Sequence, residues 1–244
     1  MVLSGWLDSL LDLFFPSKLE CPFCGSVGAG ICATCRALFD QYRQVPRCYR
    51  CGRILGQDPQ AGGVQLCREC RTHAWPFVLA RALGPYEGVL RQTIHRLKYG
   101  GSRWLARPLA VLMAGEIKSG DISGGFDLII PVPLARNKLC ERGFNQSGLL
   151  AKEIGTLLDL PVDGQALHKR LETPAQTGLN RAAREINLQN AFQVADKATI
   201  NDKDILIIDD VFTTGSTMSA VATTLSQAGA ARVFCFTAAT GRCL

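Results

Sequence analysis

Residues 204–217 read DILIIDDVFTTGST. After Asp204, residues 205–208 form a short apolar run, as expected of a parallel strand buried on both faces. The run passes straight into Asp209 and Asp210, then into small and hydroxylated residues, and an apolar helical pattern follows over residues 216–228. In parallel α/β sheets, ligands sit at the carboxyl ends of strands, where this turn must lie. Gly215 lets successive backbone N–H groups face one concavity. The hydroxyls of Thr213, Thr214, Ser216 and Thr217 add donors, and the start of the helix favours an anion. These residues predict a phosphate cradle, and it is not a Walker loop, because the lysine of that motif is missing. Two adjacent carboxylates before such a cradle would repel a polyphosphate unless they face another part of the ligand. An ionised carboxylate accepts hydrogen bonds and a diol donates two, so Asp209 and Asp210 suit ribose hydroxyls. The structural alternative is an acidic strand end that merely caps the next helix.

Outward from this loop, strand and helix alternate. Residues 76–83 read as extended. Residues 86–99 carry Val89, Leu90, Ile94 and Leu97 at helical spacing before Gly100 and Gly101 break the pattern. A second helical pattern covers residues 104–117, residues 127–132 (DLIIPV) are a buried strand, and residues 145–158 are helical again. Residues 165–190 are polar and irregular, and residues 232–238 close the chain as a strand, with Gly229 ending the helix before it. This rhythm predicts an open α/β domain with a parallel sheet over residues 76–244.

Residues 1–75 are of another kind. Eight of the eleven cysteines form four Cys-x-x-Cys pairs there: Cys21/Cys24, Cys32/Cys35, Cys48/Cys51 and Cys67/Cys70. A two-residue gap lets both sulfurs of a turn reach one tetrahedral metal at about 2.3 Å. Fifteen residues separate Cys51 from Cys67, a zinc-ribbon spacing, and seven separate Cys24 from Cys32, a tighter knuckle. Gly25 and Gly52 follow two of the turns and suit a left-handed backbone. Two structural zinc ions are expected. Sharing of the metals in sequence order needs the shortest loops, while a crossed arrangement needs much longer ones. Disulfides, redox pairs and an iron–sulfur cluster are the competing readings, and the absence of an export signal and the even pairing weigh against them. His73 reads as a surface histidine, and Cys140, Cys235 and Cys243 as incidental or buried thiols.

Hydrophobic residues make up 47% of the 244-residue chain and charged residues 20%, which excludes a disordered or fibrous protein. No run approaches the roughly 18–20 apolar residues of a membrane helix. Residues 1–17 show helical spacing and no secretory pattern, so a short helix docked on the body, or a membrane-surface helix, is expected in a cytoplasmic protein. The formal charge of +6 falls to about +2 if two ions each bind four thiolates. Local clusters of basic residues therefore matter more than the total.

The string IIDDVFTTGST resembles the phosphoribosyl pyrophosphate signature of type I phosphoribosyltransferases. That resemblance implies that Asp209 and Asp210 hold the ribose 2- and 3-hydroxyls and that Thr213, Thr214, Gly215, Ser216 and Thr217 wrap the 5-phosphate. The cysteine pairs, HRLKYGG (residues 95–101), PVPL (131–134), RGFNQS (142–147) and the terminal signature together look like the ComF/GntX family. The fold class implied is α/β, a phosphoribosyltransferase type I-like parallel sheet with an amino-terminal double zinc-ribbon domain. Several members are linked to natural competence and the handling of single-stranded DNA during uptake. The resemblance thus implies single-stranded DNA and DNA-uptake helicase or processing proteins as partners.

Three functions follow from these residues. An active transferase, of a purine or nucleotide-salvage type with unknown acceptor, would use residues 133–145 as a pyrophosphate loop. Arg136, Lys138 and Arg142 would neutralise charge there, with Mg²⁺ bridging the pyrophosphate oxygens. Pro131 and Pro133 remove backbone donors from that loop. A nucleic-acid module would use Arg91, Arg96, Lys98, Arg103 and Arg107 with Tyr99 and Trp104, although a tryptophan is more often core than platform. Arg170, Arg181 and Arg184 suit contacts to ligand or DNA, on a segment expected to close over the site. The third function is an adaptor whose ribbons dock a partner while the loop senses a phosphoribosyl ligand.

Overall fold

The computed structural model describes residues 20–28, 30–56, 64–122, 125–170 and 191–243. The expected helix in residues 1–17 and the arginines Arg181 and Arg184 lie outside the described residues. The first cysteine region leads into helix α1 (Ala33–Gln44), whose start is capped by Cys32, and the second into the short α2 (Arg68–Thr72), capped by Cys67. Strand β1 (Ala80–Pro85) and helix α3 (Gly88–Tyr99) follow, then a 3₁₀ turn (Arg103–Leu105) and α4 (Ala106–Ser119). Next come β2 (Leu128–Pro131), α5 (Arg136–Arg142) and α6 (Gln146–Leu158). The chain continues through β3 (Leu167–Lys169), β4 (Phe192–Val194), β5 (Asp204–Phe212), α7 (Ser216–Gln227) and β6 (Arg232–Thr240).

Four strands form a parallel sheet in the order β1-β6-β5-β2, and β3 with β4 makes a small antiparallel pair. Strand alternation sends side chains to both faces. Leu206, Ile208, Phe234 and Phe236 pack under α3, α4 and α6, while Ile205, Ile207, Val233 and Cys235 pack under α7 and the β3–β4 pair. Each cysteine region joins one of these layers. Cys21, Phe23, Cys35 and Phe39 share the first core, and Cys48, Cys51, Cys67, Cys70 and Trp75 share the second.

The structure departs from the sequence expectation at three places. β5 runs on to Phe212, because its ladder with β6 continues through Asp209↔Thr237, Val211↔Ala239 and Phe212↔Thr240. Asp209 and Asp210 are therefore strand residues and not part of the loop. Residues 133–145 are not a plain loop, since α5 occupies their centre. Within the polar stretch 165–190, Leu167–Lys169 is a strand, and its partner Phe192–Val194 lies just beyond it; each is too short to leave a periodic signal.

Candidate functional site

The cysteines gather in sequence order: Cys21, Cys24, Cys32 and Cys35 in one group, Cys48, Cys51, Cys67 and Cys70 in the other, all sulfurs of a group within 4.8 Å of one another. The Cys24–Cys32 and Cys51–Cys67 sulfur separations are 3.6 and 3.8 Å. An ion bound tetrahedrally at 2.3 Å from each sulfur requires an edge of about 3.8 Å, so both groups fit zinc. Backbone N–H groups of Cys35 and Cys70 point at Cys32 and Cys67 sulfurs at 3.4 Å, as the knuckle turns require. Gly25 and Gly52 hold the expected left-handed backbone, at φ of 76° and 68°. At Gly52 a side chain is further excluded, since a Cβ would lie 2.5 Å from the Ala80 carbonyl oxygen on β1.

The two centres differ in setting. Cys24 is exposed, whereas all four sulfur-bearing residues of the second group are buried. Without metal, the Cys35 N–H draws Cys32 down to about 6, while the hydrogen bond shared with Cys51 drives Cys48 up to about 12 and burial does the same to Cys70. Buried Arg53 donates to the sulfurs of Cys51 (3.5 Å) and Cys67 (3.8 Å) and pairs with Glu69, offsetting negative charge at the second centre. Cys243, expected to be incidental, lies against Cys51 and raises its affinity for a proton.

At the carboxyl edge of the sheet, Asp209 and Asp210 are 9% and 5% exposed, far more enclosed than an acidic pair capping a helix in water needs to be. Asp209 Oδ1 accepts from Ser147 Oγ at 2.6 Å, and Asp210 Oδ2 forms an ion pair with Lys98 at the end of α3. Burial, and then the neighbouring Asp210, push the Asp209 carboxyl up to about 8, while the Ser147 hydrogen bond opposes the shift. A carboxyl that holds its proton near neutral pH both donates to and accepts from a ribose hydroxyl. Lys169 on β3 feels the Asp209 charge, but burial chiefly, and then Lys138, lower its hold on its proton.

The RGFNQS residues assemble this edge one by one. Arg142 donates to Gln146 Oε1 (3.0 Å) and to the Tyr99 hydroxyl (2.9 Å). Gly143 ends α5 with a left-handed backbone, and Asn145 caps α6 by accepting from the Ser147 N–H at 3.1 Å. The Asn145 side chain also donates to the Val132 carbonyl at 3.0 Å, which ties α6 to the end of β2. Of the three basic residues expected to neutralise charge, Arg136 and Lys138 are exposed on α5, and Arg142 is held by Tyr99 and Gln146.

Beyond Phe212, Thr213 and Thr214 are exposed and Gly215 is buried, with φ of 82°, at the start of α7. No side chain caps that helix, so its first N–H groups face outward, apart from a 3.4 Å approach of the Ser216 N–H to Thr214 Oγ1. Thr214 and Ser216 hydroxyls lie 3.0 Å apart, and Thr217 sits in the first turn. An open helix start beside hydroxyls favours negative charge nearby. Sequence reasoning missed Ser147, Lys169 and the pairing role of Lys98. Only the meeting of α3, α6 and β3 at the end of β5 brings them together.

Protonation of Asp209 has a measurable consequence. A carboxyl whose affinity for a proton rises on folding stabilises the fold fully below its unfolded value, near 4, and that contribution is lost as pH rises through about 8. The groups facing it are Asp210 with its Lys98 partner, Ser147, Lys169 and the buried Cys235. Asp209→Asn is expected to raise the melting temperature of ligand-free protein by a margin that widens between about pH 4 and pH 8 and is level above. A margin independent of pH would show that Asp209 titrates normally.

A parallel sheet bearing an acidic pair and a hydroxyl-rich helix start, together with two four-cysteine centres, defines a protein of phosphoribosyltransferase fold with a double zinc ribbon. The double zinc ribbon domain pattern matches residues 10–71, and the phosphoribosyl transferase domain pattern matches residues 143–243. The chain is 31% identical over 207 residues to DNA utilization protein YhgH of Salmonella typhi, covering 84% of this chain and 87% of that protein. It is 31% identical over 204 residues to Competence protein F of Haemophilus influenzae, covering 82% and 86%. With Competence protein ComFC of Streptococcus pneumoniae it shares 32% identity over 157 residues, 64% of this chain and 66% of that one. The chain belongs to this ComF/YhgH family. No helix among the described residues is long and apolar enough to cross a membrane.

Proposed function

We propose that this protein binds phosphoribosyl pyrophosphate, or a related ribose 5-phosphate ligand, and acts in the cytoplasm in the handling of single-stranded DNA during natural transformation. The observation that carries the reading is the buried acidic pair on β5 placed directly before the uncapped start of α7. The pair suits a ribose diol, and the helix start with Thr213, Thr214, Ser216 and Thr217 suits the 5-phosphate. Mg²⁺ would arrive on the pyrophosphate oxygens and neutralise them, because Lys98 already pairs with the Asp210 carboxylate. Arg136, Lys138 and Lys169 supply positive charge on the side of β2, with no transfer step required.

The test is calorimetric titration of zinc-loaded protein with phosphoribosyl pyrophosphate and Mg²⁺, followed by a pyrophosphate-release assay on the same sample. Binding without release supports a ligand-sensing protein, and release on adding a base or amine makes it a transferase. No binding overturns the reading.

A specific observation supports direct contact with DNA. Trp104 and Tyr99, against expectation for a tryptophan, are 45% and 57% exposed. Arg96 lies over the Trp104 ring at 5.9 Å, Arg142 over Tyr99 at 4.7 Å, and Arg103 over Phe144 at 4.6 Å. Flat rings beside guanidinium groups suit bases and phosphates of a single strand. Trp104→Ala is expected to weaken binding of an oligothymidine by roughly 10-fold or more, the scale of one lost base stack, with affinity falling steeply as salt rises. Unchanged affinity, or affinity indifferent to salt, would remove this face from consideration.

A further inference from the structure

Trp75 stands between the second cysteine centre and the phosphate loop. Its indole N–H donates to Cys70 Sγ at 3.1 Å. Its ring stacks on Phe77 (5.3 Å, 22° between planes) and meets Phe212 edge-on at 6.3 Å. The far edge of the indole lies against Gly215, where an added Cβ would come within 2.8 Å of Trp75 and 2.7 Å of Phe212. Trp75 is 4% exposed, so both contacts are made in a packed interior.

A second path joins the same two places through the backbone. The Cys243 N–H donates to the Ile54 carbonyl at 2.8 Å, the Ile54 N–H to the Gly241 carbonyl at 3.2 Å, and the Gly241 N–H to the Phe212 carbonyl at 2.8 Å. Ile54 directly follows Arg53, which donates to the cysteine sulfurs. Thr214 and Cys67 line one cleft between ribbon and loop. The first centre is placed differently: among the described residues its cysteines pack with α1 and α3 on the opposite face of the sheet.

We infer that Trp75 is a positioning residue that couples the second zinc site to the phosphate loop. A zinc-bound thiolate accepts the indole N–H as a charge-assisted bond and fixes the plane of the ring. That plane is the floor on which Gly215 and Phe212 rest, and Gly215 sets where the first N–H groups of α7 point. Metal at the second centre thereby belongs to the construction of the anion site, while metal at the first does not. The consequence for affinity rests on the ribose 5-phosphate reading; the consequence for loop rigidity does not.

The experiment uses the full chain with two zinc ions and compares wild type with Trp75→Phe and with Ser26→Ala. Trp75→Phe keeps an aromatic ring and loses the N–H donor, whereas Ser26→Ala removes the hydroxyl 3.2 Å from the Cys24 sulfur at the first centre and leaves every zinc ligand in place. Hydrogen exchange at residues 212–217, zinc release to a chelator and calorimetric affinity for ribose 5-phosphate are measured. Trp75→Phe is expected to speed exchange in the loop and zinc release from one site, and to weaken ribose 5-phosphate, each by roughly 10-fold, the scale of one hydrogen bond to a charged group. Ser26→Ala should leave loop exchange and affinity at the wild-type level. Loop exchange unchanged in Trp75→Phe overturns the inference, as does equal loosening of the loop by Ser26→Ala. If wild type fails to bind ribose 5-phosphate, the ligand reading falls while loop exchange still tests Trp75. If Trp75→Phe loses its zinc or its fold, hydrogen exchange of the Trp75 indole N–H in zinc-loaded wild type answers the same question, and loop amides that open while that N–H stays protected overturn the coupling.

Discussion

Replacing Asp209 and Asp210 together by alanine is expected to abolish binding of phosphoribosyl pyrophosphate while zinc content stays at two ions per chain. The two carboxyl groups are the partners proposed for the ribose diol; the bond to the Lys98-paired Asp210 carboxylate contributes about 1.5–3 kcal/mol and the bond to the protonated Asp209 about 0.5–1.5 kcal/mol. Loss of both corresponds to roughly 30-fold to 2000-fold in affinity. The substitution also frees Lys98 from its ion pair and Ser147 from its acceptor, so part of the loss will be a rearranged edge between α3 and α6. Calorimetry with the ligand and Mg²⁺, beside a zinc assay and a thermal melt, separates these effects. Retained affinity would show that the ligand does not use this pair. Lost zinc would show that the damage had spread through the sheet.

Chelation of zinc is expected to unfold far more than the ribbons. Sequence reasoning confines the damage to residues 1–75, because the cysteines end there. The structure places Phe23 and Phe39 in one core with Leu90, Ile94 and Phe236, and Trp75 and Phe77 in the other with Ile207 and Val221. Structural zinc contributes about 10–16 kcal/mol in finger peptides, as much as the whole stability of an ordinary domain of about 5–15 kcal/mol. Removing the metal uncovers buried aromatic side chains on both faces of the sheet, each of which contributes about 1.5–3 kcal/mol by its burial. A thermal melt after chelation should lose its cooperative transition or shift it strongly downward. A transition that persists unchanged would show that the sheet and its helices stand without the ribbons.

The cysteine pairs and the stretch from β5 into α7 were legible because their chemistry is local. A knuckle is closed by cysteines three positions apart, and an anion-binding turn by consecutive N–H groups and hydroxyls. The apolar runs of β2 and β5 were legible for a similar reason, since a strand covered on both faces is apolar at every position. β3 and β4 were not, being three residues each and stabilised by each other and by α7. The sequence left Trp104 open between core and platform, because exposure is set by what packs beside a side chain; α3 and the 3₁₀ turn leave it under Arg96 at the surface.

By itself, the order of residues determined that eight cysteines gather as two groups of four, the alternation of strand and helix, and the small, hydroxylated turn that follows β5. Each of these depends on groups a few positions apart, so chain connectivity alone brings them together. Tertiary structure decided which ribbon covers which face of the sheet, that Lys98 neutralises Asp210, that Ser147 supports Asp209, and that Trp75 joins a zinc ligand to Gly215. Those partners are distant in the chain, and only the packing of helices and ribbons against the sheet sets them within bonding reach.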